Sequence, residues 1–248
     1  MDLGLSGRTA AVAGASAGLG LAAAQVLVAE GVRVAICGRD RERIDAAAAE
    51  LGGDAVPIVA DVGTPDGATA FVEEATAALG PLDILVPNAG GPPAGTFAST
   101  PLDAYLPALQ LNLLSTVAMC QAAVPAMVDR GWGRVVAITS ASVRQPVPQL
   151  ILSNTARAGV TGFLKTLSLE VAAQGVTVNS VQPGLHATDR LTHLYGDDTS
   201  AAARDVPTRT VGRPEDFGAV VAFLCSDAAR FVTGVALPVD GGSTRGLQ

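Results

Sequence analysis

Paired cysteines, basic runs and uninterrupted apolar stretches of membrane-spanning length are all missing from this 248-residue chain, and each absence excludes a class of protein. The three cysteines, Cys37, Cys120 and Cys225, stand far apart in apolar surroundings. No CxxC or Cys/His spacing suggests a metal or redox site, so buried free thiols are expected. An odd, unpaired number fits a reducing cytoplasm. Sixteen Lys and Arg against 23 Asp and Glu leave a net charge of −7, which argues against a nucleic-acid surface. The stretch Met1–Ala10 has no basic segment followed by an apolar one, so no signal peptide is expected. Nor does an apolar run approach the roughly 18 residues that a membrane helix needs. A soluble, cytoplasmic protein without membrane or nucleic-acid partners is the expectation. Charged residues make up only 16% and hydrophobic ones 49%, which is a poor composition for disorder or a coiled coil. With no Pro/Ser-rich linker and no repeat, residues 1–248 read as one domain.

What is present is a regular alternation. Short apolar or β-branched runs at Thr9–Ala13, Arg33–Cys37, Ala55–Val59, Ile84–Pro87, Arg134–Thr139, Val176–Val181 and Ala236–Val239 predict strands. They are continuous rather than alternating, as in strands buried on both faces of a parallel sheet. Between them, Leu19–Ala29, Asp40–Leu51, Pro65–Leu79, Leu102–Arg130, Gln149–Ala173 and Pro214–Ser226 predict helices. Such βα alternation implies right-handed crossovers and an α/β, doubly wound parallel sheet of Rossmann type. The least regular segment, 185–213, follows a strand directly and is expected to cover the ligand crevice as a substrate lid.

Ala13-Gly14-Ala15-Ser16-Ala17-Gly18-Leu19-Gly20 joins the first strand to the first helix. Glycines there let the backbone approach a pyrophosphate, while the helix N-terminus offers unpaired N–H groups and a positive dipole end. The spacing resembles the TGxxxGxG turn of the short-chain dehydrogenase/reductase superfamily, with Ala13 in the Thr position. Ala60-Asp61-Val62 resembles that family's adenine-contacting segment, and Asn88-Ala89-Gly90 its NNAG element, with Pro87 replacing the first Asn. Asn112 falls at the helix Asn that holds a relay water, and Thr139-Ser140 at the catalytic Ser. Pro183-Gly184 with Thr188 matches the PGxxxT segment at the nicotinamide, and Gly212–Asp216, Phe223-Leu224 and Val239–Gly242 match the C-terminal signature. The resemblance is to 3-oxoacyl-carrier-protein-reductase-like members. It implies cofactor contacts from Gly14, Ser16, Gly18, Leu19, Gly20, Asp61, Val62, Asn88, Ala89, Gly90, Pro183, Gly184 and Thr188. It also implies homo-oligomers, commonly tetramers built through the long central helices.

The resemblance departs at its chemical centre. Ser153 stands where the family has its catalytic Tyr, and Arg157 where it has the partner Lys. An aliphatic hydroxyl is shorter than a phenol and a far weaker acid, and a guanidinium keeps its proton. Arg157 keeps the charge and is expected to hold the nicotinamide ribose, with Asn112, Ser140 and Ser153 completing the site. Among replacement acids, His186 has a suitable pKa near the expected nicotinamide but also reads as a backbone-bonded surface residue. Tyr195 in the lid reads as a substrate contact, His193 more weakly so, and Tyr105 starts the long helix. Gln145 and Arg144 are substrate contacts or solvated loop residues.

Gly38 occupies the position of the acidic residue that would bind the ribose hydroxyls of NAD, and Arg39 follows it. A guanidinium beside a missing carboxylate favours the 2′-phosphate of NADP(H). The alternative is a solvated Arg39 with Asp40 serving NAD. Two functions stay open: an NADP(H)-dependent oxidoreductase acting on a carbonyl or similarly polarised double bond, and a non-redox protein on the same fold. The second would be an isomerase, cyclase, dehydratase or silent cofactor-binding subunit.

Overall fold

The apolar runs become the strands β1 (Thr9–Val12), β2 (Arg33–Gly38), β3 (Val56–Val59), β4 (Ile84–Val86), β5 (Gly133–Ile138), β6 (Val176–Pro183) and β7 (Ala236–Val239). They form one parallel sheet in the order β3-β2-β1-β4-β5-β6-β7. The computed structural model describes residues 2–52, 54–189, 191–192 and 199–247. Its longer helices are α1 (Gly18–Ala29), α2 (Arg41–Leu51), α3 (Pro65–Leu79), α4 (Tyr105–Leu109), α5 (Ser115–Arg130), α6 (Ile151–Val171), the short α7 (Thr199–Ala203) and α8 (Pro214–Cys225).

Successive strand residues point to opposite faces, and both faces are apolar, which is why the runs are continuous. Ala11, Ala35, Leu85, Val135 and Val178 pack with Phe71 of α3, Met119 of α5 and Val160 of α6. Ala10, Val12, Ile36, Val136 and Val181 pack on the other face with Leu27 of α1, Ile44 of α2 and Phe217 of α8. Cys37, Cys120 and Cys225 are buried free thiols, each pushed up to about 12 by burial.

The stretch Leu102–Arg130, expected as one α-helix, changes type along its length. A 3-10 turn at Leu102–Ala104 leads into α4, a π-helical segment at Gln110–Leu114 follows, and α5 completes it. By length and composition this stretch is apolar enough to cross a membrane, contrary to expectation. The reason is that Ser, Thr, Asn and Gln interrupt the apolar run without adding charge. Half of its apolar window is buried inside the protein, and α5 packs on α3, as befits a core helix.

Side chains fix the helix starts. Asp40 accepts the Arg43 N–H at 2.9 Å to cap α2, and Thr64 accepts the Gly67 N–H at 3.2 Å to cap α3, where Pro65 is the first residue. In contrast, α1 starts after Ala17, with no side-chain cap and no acidic residue in its first turn. That end of α1 opens at the switch between β1 and β4, where the strand order reverses and a crevice forms beyond the carboxyl ends of the strands.

Candidate active site

Gly14 and Gly18 take the left-handed conformation, with φ of 56° and 62°, which an L side chain adopts only with strain. Gly20 is required by space: a Cβ there would lie 2.5 Å from the Gly14 carbonyl oxygen and 2.9 Å from Asn88 Nδ2. Asn88 itself donates to the carbonyls of Ala13 and Gly14 at 3.2 and 3.0 Å, so the end of β4 holds the turn in shape. The turn thus presents backbone N–H groups and the uncapped α1 terminus to the crevice, a fit for a pyrophosphate. Leu19 packs partly into the core under the turn. Thr188 stands beside it, its Cγ2 lying 3.7 Å from where a Cβ on Gly18 would be.

At the end of β2, a Cβ on Gly38 would come within 3.0 Å of Ser16 Cβ, so a side chain there would require Ser16 to shift, and the glycine itself brings no carboxylate. Asp40 spends its side chain on the α2 cap. Arg39 is exposed, and its side chain makes no hydrogen bond or ion pair among the described residues. Asp61 is exposed and accepts the Gly63 N–H at 2.9 Å, while Val62 turns into the core. Pro183 ends β6, and Gly184 lies so close to Asp240 that a Cβ would be 2.7 Å from its Cα.

The Asn88-Ala89-Gly90 segment is held from three sides. Asn88 grips the Gly-rich turn, Arg157 donates to the Ala89 carbonyl at 3.3 Å, and Asn112 donates to the Gly90 carbonyl at 2.9 Å. Asn112 sits in the π-helical segment and is buried, and its Oδ1 has no hydrogen-bond partner among the described residues. π-helical turns recur at functional sites, and a buried acceptor left open is a place for a donor from outside the protein. Nothing in the sequence Gln110–Leu114 signals that turn. Ser140 ends the loop from β5, where its Oγ accepts the Ser142 N–H at 3.1 Å and donates to Ser142 Oγ at 2.9 Å. The buried Ser142 is a partner that motif reading missed.

Several of the expected site residues are bonded within the protein. Arg157, assigned to ribose, lies buried on α6 one turn after the buried Ser153, and donates to the carbonyls of Ile138 at 3.2 Å and Thr139 at 2.9 Å as well as to Ala89. The carboxyl end of β5 would otherwise leave those carbonyls unpaired, so the guanidinium is drawn inward. His186 is buried. Its ring packs edge-on against Phe217 of α8 and beneath Gly212, with Nδ1 3.3 Å from the Gly184 carbonyl. Burial lowers its pKa, against the backbone bond and the Asp216 charge, so it is held neutral. Gln145 is exposed and accepts the Arg245 N–H at 3.1 Å, and Arg144 donates to Gln182 at 2.8 Å and the Ala236 carbonyl at 2.7 Å. Both tie the loop after Ser140 to the sheet and the C-terminal segment. Tyr195 and His193 lie outside the described residues. The two ends of segment 185–213 are tied, Gly212 N to Leu185 O at 2.9 Å and Ala187 N to Gly212 O at 2.9 Å.

Beside the site is a cavity of about 400 Å³ lined by Pro92, Pro93, Pro101, Pro107, Leu111 and Leu152, among others. Its lining residues Leu111 and Leu152 are the chain neighbours of Asn112 and Ser153. No spacing in the sequence announces it, because three separate segments build it.

Comparison with known proteins agrees with this arrangement. The family model described as Enoyl-(Acyl carrier protein) reductase matches residues 14–244. Nodulation protein G of Azospirillum brasilense is 36% identical over 245 residues, covering 96% of this chain and 98% of that one. The 3-oxoacyl-acyl-carrier-protein reductase of Haemophilus influenzae is 32% identical over 238 residues, with 96% and 98% covered. Among solved structures, L-sorbose reductase of Gluconobacter frateurii, complexed with NADPH and L-sorbose, superposes with a TM-score of 0.93 at 31% identity over the whole of both chains. An NADPH-bound short-chain oxidoreductase of Pseudomonas aeruginosa PAO1, described as containing an atypical catalytic center, gives 0.90 at 32% identity, covering 98% and 99%. This chain belongs to the short-chain dehydrogenase/reductase superfamily, among its enoyl- and 3-oxoacyl-carrier-protein-reductase-like members.

Proposed function

We propose that the chain is an NADP(H)-dependent oxidoreductase that reduces a carbonyl or similarly polarised double bond from an unconventional centre. The observation that carries the reading is the nucleotide end of the crevice. There the uncapped α1 terminus and the close-packed Gly20 stand near Arg39, unpaired among the described residues, and Gly38 brings no carboxylate to repel a 2′-phosphate. The turn from Gly14 to Gly20 would cradle the pyrophosphate, Arg39 the 2′-phosphate, Asp61-Val62 the adenine, and Pro183, Gly184 and Thr188 the nicotinamide. When bound, NADPH supplies the hydride.

Neither Ser153 nor Arg157 can act as the family's phenol does. Polarisation of the substrate oxygen then falls to Ser140, whose hydroxyl turns from Ser142 Oγ to the incoming carbonyl while the Ser142 N–H keeps its oxygen in place. The Arg157 charge, held on the neighbouring Thr139 carbonyl, favours negative charge developing there. Asn112 Oδ1 offers the acceptor that fixes a water for proton delivery. The proline-walled cavity suits an apolar substituent on the carbonyl carbon. The Pseudomonas relative supports reading an NADPH crevice and an atypical centre in one chain.

One observation favours a second reading, a non-redox enzyme or silent cofactor-binding subunit: the Arg157 donors and the Ser140 hydroxyl are already committed within the protein. A panel of ketones, enones and acyl thioesters with NADPH separates the two. Consumption of NADPH with any member supports reduction, and tight NADPH binding without consumption supports the second reading. The proposal includes a homo-oligomer formed through α4–α6, because Leu102, Leu106, Leu114 and Leu169 are exposed apolar residues along those helices. Light scattering that gives a monomer mass would rule it out.

A further inference from the structure

At the opposite end of the sheet from the nucleotide crevice lies a second and larger hollow, about 830 Å³, that the proposed reduction does not use. It forms where β5 and β6 begin, walled by Arg8, Trp132, Arg134, Thr177, Arg230 and Phe231 among others. In a chain of net charge −7, the guanidiniums of Arg8, Arg134 and Arg230 line this hollow together with a single carboxylate, that of Asp227.

Arg134 is only 3% exposed; it donates to the carbonyls of Gly133 at 2.9 Å and Gly175 at 3.3 Å and pairs with Asp227 at 3.5 Å, while its Nε has no hydrogen-bond partner among the described residues. The same Asp227 Oδ1 also accepts from Trp132 Nε1 at 3.4 Å. Arg8 reaches Asp83 only at 3.8 Å and lies 3.7 Å from the centroid of Trp132, with Arg134 at 4.2 Å from the same ring. The Arg230 side chain makes no hydrogen bond or ion pair among the described residues. Thr177 is buried with its hydroxyl unpartnered. Burial lowers the pKa of Arg134, against the opposing Asp227 charge. Buried donors are normally paired, so the Arg134 Nε, the Thr177 hydroxyl and the Arg230 guanidinium leave donor capacity for an added acceptor. The last wall is Phe231, 101% exposed, whose ring stands at the lip of the hollow with nothing covering it.

We infer that this hollow is a second binding site, for a small organic anion: a phosphate monoester or carboxylate whose charged head meets Arg230, Arg8 and Arg134 and whose apolar body lies against Phe231. Guanidinium forks suit such oxyanions, and the exposed ring supplies the apolar contact.

Trp132 is the only tryptophan of the chain and lies in this wall, so its emission reports occupancy directly. Phenyl phosphate, benzoate and inorganic phosphate are titrated against the full-length protein, with NADPH binding followed separately. The inference expects a saturable change in Trp132 emission with phenyl phosphate or benzoate. Arg230→Gln should weaken it about tenfold or more, the loss of one charge-assisted contact, with NADPH affinity unchanged. Phe231→Ser should weaken the aromatic anions and not inorganic phosphate. Both residues are exposed, so neither variant threatens folding. A response that stays linear in anion concentration overturns the inference, as does one undiminished in Arg230→Gln or saturation by inorganic phosphate alone. A change of oligomer mass in these variants without saturable binding would assign the face to a second copy of the chain and overturn it equally.

Discussion

Arg39 and Arg157 carry the same charge and do opposite work, because one stands in solvent and the other is buried under three carbonyls. Arg39 has no partner within the described protein, so its guanidinium is available to a 2′-phosphate. Arg39→Ala should cut the preference for NADPH over NADH about tenfold to hundredfold, the worth of one charge-assisted contact at about 1.5–3 kcal/mol. Titration calorimetry giving equal affinities for the two cofactors in the parent protein would refute the assignment. Arg157 bonds to Ile138, Thr139 and Ala89, so its removal strands buried acceptors at the end of β5. Arg157→Ala should therefore lower stability by about 2–4 kcal/mol, seen in denaturant unfolding, besides weakening the site. Arg157→Lys should recover only part, since one ammonium cannot reproduce the planar fork. An Arg157→Ala protein of parental stability with weak NADPH binding would instead return this residue to the ribose.

The β1–α1 turn and the Asn88-Ala89-Gly90 segment work as one unit, since Gly20 packs on Gly14 and Asn88 bonds to Ala13 and Gly14. Gly20→Ala forces that turn apart and should abolish NADPH binding while the rest of the sheet still folds, a loss that circular dichroism beside calorimetry would separate. A variant that binds NADPH normally would show that the pyrophosphate sits elsewhere. At this scale much was legible in advance. The strands follow from runs such as Arg33–Cys37, whose apolar residues face both layers, and the α3 start from Thr64-Pro65. The Gly-rich turn was legible because its glycines answer to local backbone conformation. The π-helical segment around Asn112, the Ser140–Ser142 pair and the proline-walled cavity were not, because each depends on which distant segment lies alongside. His186 illustrates the limit. Two residues from Gly184 it reads as a site residue, and the chain returning at Gly212 bridges to it while its ring packs against Phe217.

For the molecule as a whole, that buried histidine sets a pH dependence. Its folded pKa lies below the ordinary value of about 6.5, so the unfolded chain binds the proton first as pH falls. The penalty is absent above the unfolded pKa and grows as pH drops through about 6.5 toward the folded pKa, so stability should fall with acidification in that window. His186→Gln should flatten this part of the profile in urea unfolding from neutral to mildly acid pH, and an unchanged slope would contradict the burial argument. The two ends of the sheet divide the molecule between a cofactor crevice at the strand termini and an arginine-walled hollow at the strand starts. In the proposed function the crevice passes hydride to a carbonyl with Ser140 in place of a tyrosine acid. Deuterium followed from NADPH labelled at the transferred position into the product of the first accepted carbonyl tests this. Label on the product carbon, formed about 10²-fold or more slowly by Ser140→Ala at unchanged NADPH affinity, is the predicted result. Saturable NADPH binding with no label in any product would contradict it.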